Sequence, residues 1–233
     1  GGRLDLSAYF NLFHEERWRK YTVIGEIVLR LKFRGDLNVR VLRDRIVFLD
    51  RTLSAPTERQ EELVLGAGTG VLSVQVQALK ESHLYGGGFW AETSKRPEAQ
   101  VSIIICTFHR ERYLLPNLET LKEHLPEGWD VIVVDNGRSL PEGLAERFGP
   151  RFRFLPNPNA GGSGGFTRGI LQALSDGDKS AALLMDDDVV LEPAALERTA
   201  SFWSLLKQEY RGHFLAGAML RLDTPCVQHE ATA

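Results

Sequence analysis

Val101-Ser102-Ile103-Ile104-Ile105-Cys106-Thr107 is the stretch that decides the fold. An apolar run that does not alternate reads as a strand covered on both faces, the mark of a parallel sheet. Downstream the same kind of segment recurs. Residues 130–135 (Asp-Val-Ile-Val-Val-Asp), 152–155 (Phe-Arg-Phe-Leu), 181–185 (Ala-Ala-Leu-Leu-Met) and 214–222 supply four more expected strands. Between them, residues 117–124, 140–148, 165–175 and 193–209 carry helical patterns, the last with Pro193 in its first turn. The alternation predicts an α/β domain with an open, mostly parallel sheet and helices on both faces.

Upstream the rhythm is β only. Residues 21–33 are rich in β-branched and aromatic side chains, and Arg34-Gly35-Asp36 then reads as a turn. Residues 37–41, 46–53, 63–65 and 71–76 read as further strands. Gly66-Ala67-Gly68-Thr69-Gly70 reads as a plain loop, since no helix follows it to face a phosphate. Short strands between turn signals predict a small all-β sandwich or jelly roll. Tyr9, Phe10, Phe13 and Trp18 form an aromatic cluster, read as core packing before docking surface. Tyr85-Gly86-Gly87-Gly88 and the polar residues 94–100 with Pro97 read as a seam. The expected division is therefore 1–98, a β-sandwich with linker, and 99–233, the α/β domain.

Composition narrows the function. With 233 residues, 43% hydrophobic and 25% charged, the chain has the apolar material of a folded protein. A net charge of −3 excludes a basic nucleic-acid binder. Cys106 and Cys226 are too few for a disulfide framework or a zinc cluster, and read as free thiols of a reducing compartment. The opening Gly1-Gly2-Arg3-Leu4-Asp5 has no signal-peptide core, and no apolar run approaches the ~20 residues of a spanning helix. Residues 1–98 carry 15 basic and 13 acidic side chains, residues 99–233 carry 13 and 18, so a cation is expected in the second half.

In open α/β sheets, ligands sit beyond the carboxyl ends of the strands. The first strand ends in Cys106-Thr107-Phe108-His109-Arg110, offering a hydroxyl and a guanidinium fork suited to phosphate. The second ends in Asp135-Asn136-Gly137, where the carboxylate either accepts from a ribose or base, or closes an Asx turn. The third leads into Asn157-Pro158-Asn159-Ala160-Gly161-Gly162-Ser163-Gly164-Gly165-Phe166-Thr167-Arg168. It is expected as a loop whose glycines let the backbone approach a ligand, with helix N–H groups toward an anion. It is neither a Walker A loop nor GxGxxG. The fourth strand ends in Asp186-Asp187-Asp188, and strand alternation turns Asp186 and Asp188 the same way, toward one hard divalent cation. The other reading of that triplet is a solvated acidic turn or the cap of the next helix.

Together these residues resemble the nucleotide-binding half of inverting GT-A glycosyltransferases of family 2. VSIIICTFHRER is similar to their first strand and loop, VIVVDNG to their second, and LLMDDD to their DxD strand. The run from Pro156 through Gly169, together with LLMDDDVVLEP and the YFN-F…W opening, resembles bacterial galactofuranosyltransferases, which carry an N-terminal β-sandwich before a Rossmann-like GT-A domain. The resemblance implies a UDP-sugar donor held by Cys106, Thr107, Arg110, Asp135, Asn159, Gly161, Gly162, Gly164, Gly165, Arg168 and Asp187. It implies Mn²⁺ or Mg²⁺ on Asp186 and Asp188. It implies transfer, with inversion, of galactofuranose to a glycan or lipid-linked glycan acceptor, in the cytoplasm and in peripheral contact with the inner membrane face. A homo-oligomer is compatible with it.

The same family implies an acidic catalytic base in a Trp-Asp/Glu-Asp segment and a histidine completing the metal site. No such segment lies within this sequence, and Trp203 is its last tryptophan. The base is expected beyond Ala233, with His229 and Glu230 toward the acceptor side. Other donors (UDP-galactose, UDP-GlcNAc, dTDP-rhamnose) stay open, as does a carbohydrate-binding or assembly module without turnover. A nucleotidyltransferase is opposed by Thr107-Phe108-His109-Arg110, where a glycine-rich loop would be needed.

Overall fold

The computed structural model describes residues 2–7, 11–93, 99–224 and 227–230. Tyr9, Phe10, the middle of the expected linker and Cys226 lie outside the described residues. By contacts the chain forms two units, Gly1–Lys95 with Leu205–Ala233, and Arg96–Ser204.

The first unit comprises β1 (Arg3–Leu6), β2 (Phe13–His14), α1 (Glu15–Tyr21), β3 (Ile27–Arg43), β4 (Ile46–Val64), β5 (Val71–Ala78) and β6 (His83–Ala91). Its strands join in one six-stranded sheet whose pairings are all antiparallel. β3 is the common partner. It pairs with β4 along nearly its whole length, with β6 through its first half and with β5 through its second. Ile27, Leu29, Leu31, Phe33, Leu37, Val39 and Val41 alternate into one buried cluster, the period-two pattern of a one-sided sheet.

Two expectations change here. The turn expected at Arg34-Gly35-Asp36 does not interrupt the strand. Gly35, at φ 100°, lies beside Ser82, and the register with β4 shifts there, so a bulge absorbs the local irregularity. The true reversal is Asp44-Arg45, both at positive φ, as a two-residue type I′ hairpin demands. The expected seam from Tyr85 is largely β6, paired with β3. Phe13 stacks on Trp18 and packs against Phe89, in keeping with core packing. The loop after β4 is tied down by Glu15, a fully buried carboxylate that accepts from Gly68 N and pairs with Arg19 and Arg43.

The second unit runs β7 (Val101–Thr107), α2 (Glu111–His124), β8 (Asp130–Asp135), α3 (Leu144–Phe148), β9 (Phe152–Pro156), α4 (Gly161–Asp176), β10 (Ala181–Asp186) and α5 (Pro193–Leu205). The four strands are parallel, in the order β10-β7-β8-β9. Alternate side chains of β7 feed two cores. Val101, Ile103 and Ile105 pack with Leu114, Leu118 and Leu121 of α2, Leu144 and Phe148 of α3, and Leu196 of α5. Ile104 joins Ile132, Val134 and the α4 residues Phe166, Ile170 and Ala173 on the opposite face. This two-sided burial is why the strand reads as uninterrupted apolar sequence.

The expected fifth strand at 214–222 is not part of this sheet. β11 (Met219–Leu220) pairs antiparallel with β12 (Gln228–Glu230) in a separate two-stranded sheet. From Leu205 onward the chain groups with the first unit: Leu206 bridges to Thr22, and Lys207 Nζ donates to the carbonyls of Arg19 and Lys20. The expected helix at 193–209 ends at Leu205 and is followed by a 3-10 turn at Gln208–Tyr210.

Candidate functional site

The sheet order reverses between β7 and β10. From β7 the chain steps to β8 and β9, then α4 returns it to the other side of β7. A ligand crevice forms at such a switch point, beyond the carboxyl ends of the two strands. Here those ends are Cys106-Thr107 and Asp186-Asp187-Asp188, with Cys106 directly opposite Asp186 in the ladder.

The three aspartates have distinct surroundings. Asp186 and Asp188 are exposed, and Asp187 is buried. Thr107 Oγ1 donates to Asp187 Oδ2 at 2.7 Å. Burial is the larger influence on this carboxyl and holds its pKa above the usual value, against the Thr107 hydrogen bond and the charge of Arg110. Arg110 pairs with Asp188 through Nη1 and lies 3.9 Å from an oxygen of Asp187. The turn after β10 is held from within by Asn117 of α2, whose Nδ2 donates to the carbonyls of Asp187 at 3.2 Å and Val189 at 2.7 Å. Beside this cluster a cleft of ≈ 560 Å³ is lined by His109, Arg110, Glu111, Arg112, Tyr113 and Asp188.

A second group joins the ends of β7, β8 and β9 to the start of α4. Asn136 Nδ2 donates to Gly161 O at 3.0 Å and to Cys106 Sγ at 3.3 Å, and Asn157 Nδ2 donates to Asn136 Oδ1 at 2.8 Å. Asn159 Oδ1 accepts from Gly161 N at 3.0 Å. Burial, then the charges of Asp187 and Asp186, push the Cys106 thiol pKa up. Both oxygens of Asp135 accept backbone N–H groups, from Gly137 and Leu140, each at 3.0 Å. That is the Asx-turn role, and Asp135 is buried in it.

The glycine stretch differs from expectation. It is not a loop ahead of a helix starting at Gly165, but the first turn of α4 itself, entered through Gly161 at φ 68°. Its glycines divide by role. A Cβ on Gly165 would lie 2.1 Å from Cys106 Sγ, and one on Gly169 would lie 2.3 Å from Ile104 Cγ2. These two face the sheet and let helix and strand approach closely. Gly161 and Gly162 have open space where a Cβ would be. Arg168 is exposed on the second turn. His229 is exposed on β12, which groups with the first unit.

The structure thus brings Thr107, Arg110, Asp187 and Asp188 into one hydrogen-bonded group, and Cys106, Asn159 and Gly161 into another through Asn136 and Asn157. Asn117 lies in no motif, and Asn136 and Asn157, though inside quoted motifs, were given no role of their own. For Asn117 the readable signal is an amide among Leu114, Leu118 and Leu121 on one helix stripe.

The donor chemistry fits a divalent cation: two exposed carboxylates two residues apart, one of them already met by a guanidinium. Among the described residues no group of three or more His, Cys, Asp or Glu side chains is arranged to hold a metal. Two carboxylates alone would leave most of a cation's coordination positions to water and ligand oxygens.

Fold and site define an α/β protein with a crevice at the carboxyl ends of its central strands. Two family models each match one part of the chain. Residues 102–207 match Glycosyl transferase family 2, and residues 1–102 match Galactofuranosyltransferase 2 N-terminal. Galactofuranosyltransferase GlfT2 of Mycobacterium tuberculosis is 29% identical over 97% of this chain and 38% of its own length. The protein of the same name from Mycolicibacterium smegmatis is 26% identical over the same shares. The chain thus spans 38% of the length of these curated relatives. Among solved structures, a formyltetrahydrofolate deformylase from Pseudomonas putida KT2440 aligns with 75% of this chain and 64% of its own, at 16% identity and a TM-score of 0.27, too low to carry an argument. No helix among the described residues is long and apolar enough to cross a membrane.

Proposed function

We propose that this chain holds the donor site of an inverting, metal-dependent glycosyltransferase that moves galactofuranose from UDP-galactofuranose to a glycan or lipid-linked glycan. The observation that carries the reading is the group of Thr107, Arg110, Asp187 and Asp188 at the switch point of the parallel sheet. Arg110 has the fork geometry to grip a diphosphate once it leaves Asp188. The start of α4, with Gly161 and Gly162 open above it, lets the same anion approach backbone N–H groups. Asp186 and Asp188 would hold Mn²⁺ or Mg²⁺, which supplies positive charge for the departing diphosphate. Cys106, Asp135, Asn159 and Arg168 complete the donor surroundings in this reading, with Asp135 acting through the turn it closes. The acceptor hydroxyl attacks the face of the sugar opposite the diphosphate, helped by a general base. None of the residues assigned above is that base.

The reading extends to the setting. A UDP-sugar donor places the enzyme in the cytoplasm, and a lipid-linked acceptor places it against the inner membrane face. The N-terminal unit acts as a sandwich-type accessory module, supported by the single buried cluster shared by both halves of β3. Calorimetric titration of UDP with Mn²⁺, repeated in EDTA, tests the donor site. Metal-dependent binding lost in Asp188→Ala is expected, and unaltered affinity in that variant refutes the assignment. UDP-galactofuranose against UDP-galactopyranose then tests the sugar.

A further inference from the structure

We infer that Asn117 is the positioning residue that presents Asp188 to the bound cation and diphosphate. The inference rests on the donor-site reading and adds a residue to it. Asn117 lies on the buried stripe of α2 between Leu114 and Leu118, and is 6% exposed. An amide placed there costs stability unless its donors find partners. Its Nδ2 donates outward from the helix to two carbonyls of one turn, those of Asp187 and Val189.

Those carbonyls flank Asp188. One side chain therefore pins the backbone on both sides of the aspartate while leaving its carboxylate exposed and paired with Arg110. Thr107 adds a third anchor by holding the Asp187 carboxylate inward. The result is a tight turn that sends Asp187 in and leaves Asp186 and Asp188 out. Two hydrogens on one nitrogen are needed for this clamp. Leu cannot donate at all, and an ionised Asp would set a negative charge against two carbonyl oxygens. Asn117 touches neither donor nor acceptor in this scheme. It acts through the turn.

The test is calorimetric titration of UDP into the full chain, with Mn²⁺ and then with EDTA, for the wild type, Asn117→Ala and Asn117→Ser. The readout is the ratio of the two affinities. The wild type should bind more tightly with Mn²⁺. Asn117→Ala should lose about tenfold of the Mn²⁺-dependent affinity, or ~1.4 kcal/mol, with binding in EDTA unchanged. Asn117→Ser, which keeps one donor, should fall between. A purely structural amide would lower the unfolding midpoint and leave the ratio at its wild-type value, and that result overturns the inference. If Asn117→Ala does not fold, a wild-type ratio in Asn117→Ser overturns it equally. A wild type with no Mn²⁺-dependent UDP binding would instead sink the donor-site reading, and with it the premise of the clamp.

Discussion

Replacing Gly169 by Ala tests how α4 is seated on the parallel sheet. The new Cβ would lie 2.3 Å from Ile104 Cγ2 and 3.4 Å from Val134 Cγ2. Ile104 is fully buried at the centre of β7, and its branched Cβ leaves it few rotamers for escape. The helix or the strand must shift. Overpacking of this kind costs ~1–3 kcal/mol. Against it stands the better helix propensity of Ala, worth about 1 kcal/mol. At so short a contact the clash is the larger effect, and a net loss of up to about 2 kcal/mol is expected. Urea unfolding followed by tryptophan fluorescence measures it, with the buried Trp129 reporting on this unit. Gly162→Ala is the control. Its Cβ meets nothing within 4 Å, so it should be neutral or gain up to ~0.5 kcal/mol. Ile104→Ala makes room for the new methyl and should cost ~2–5 kcal/mol alone. Combined with Gly169→Ala it should give back at least ~1 kcal/mol as coupling. A Gly169→Ala protein as stable as Gly162→Ala, with no coupling to Ile104, refutes the close seating.

Two further outcomes follow from the buried groups near the strand ends. Asp187 has a raised pKa, so folding favours its protonated form. Its contribution is fully present below the ordinary carboxyl value and is lost as pH rises through the raised one. In EDTA, Asp187→Asn should therefore flatten that fall in stability, and urea midpoints between pH 4 and 8 that run parallel to wild type would contradict the assignment. The Cys106 thiol has a raised pKa as well, so in a Cys226→Ser background it should alkylate with iodoacetamide more slowly than a free cysteine at pH 8, read by mass spectrometry.

The parallel strands were legible because burial on both faces leaves no alternation for polar residues to interrupt. Their carboxyl ends were legible too, since Thr107, Arg110 and the aspartate triplet stand where the apolar runs stop. What escaped was decided by contacts between distant segments. Gly161 to Gly165 has loop composition, yet Cys106 lies where a Cβ on Gly165 would go, and close packing against the sheet overrides propensity. Arg34-Gly35-Asp36 carries a turn signature, but β4 continues beside it and keeps β3 whole, while on the other edge β6 stops at Arg34 and β5 begins at Leu37. Gly86, Gly87 and Gly88 read as linker, although pairing with β3 makes them strand. The segment at 214–222 is apolar enough for a central strand, but its pairing with β12 and its grouping with the first unit show otherwise. Asn136 and Asn157 stand inside the motifs, but their linking role exists only once three strand ends meet.

The shared use of β3 shapes how the first unit comes into being. β5 and β6 both pair with β3, and each occupies a different half of it. The earliest pairing the chain can make there is the hairpin closed by Asp44-Arg45, whose opposed residues are near neighbours in sequence at the tip. As β3 and β4 zip away from that turn, they build a template with two landing places. β5 and β6 come later in the chain and each take one of them. A lesion in β3 near Gly35 thus lies at the boundary of both pairings, whereas one in β6 touches a single pairing.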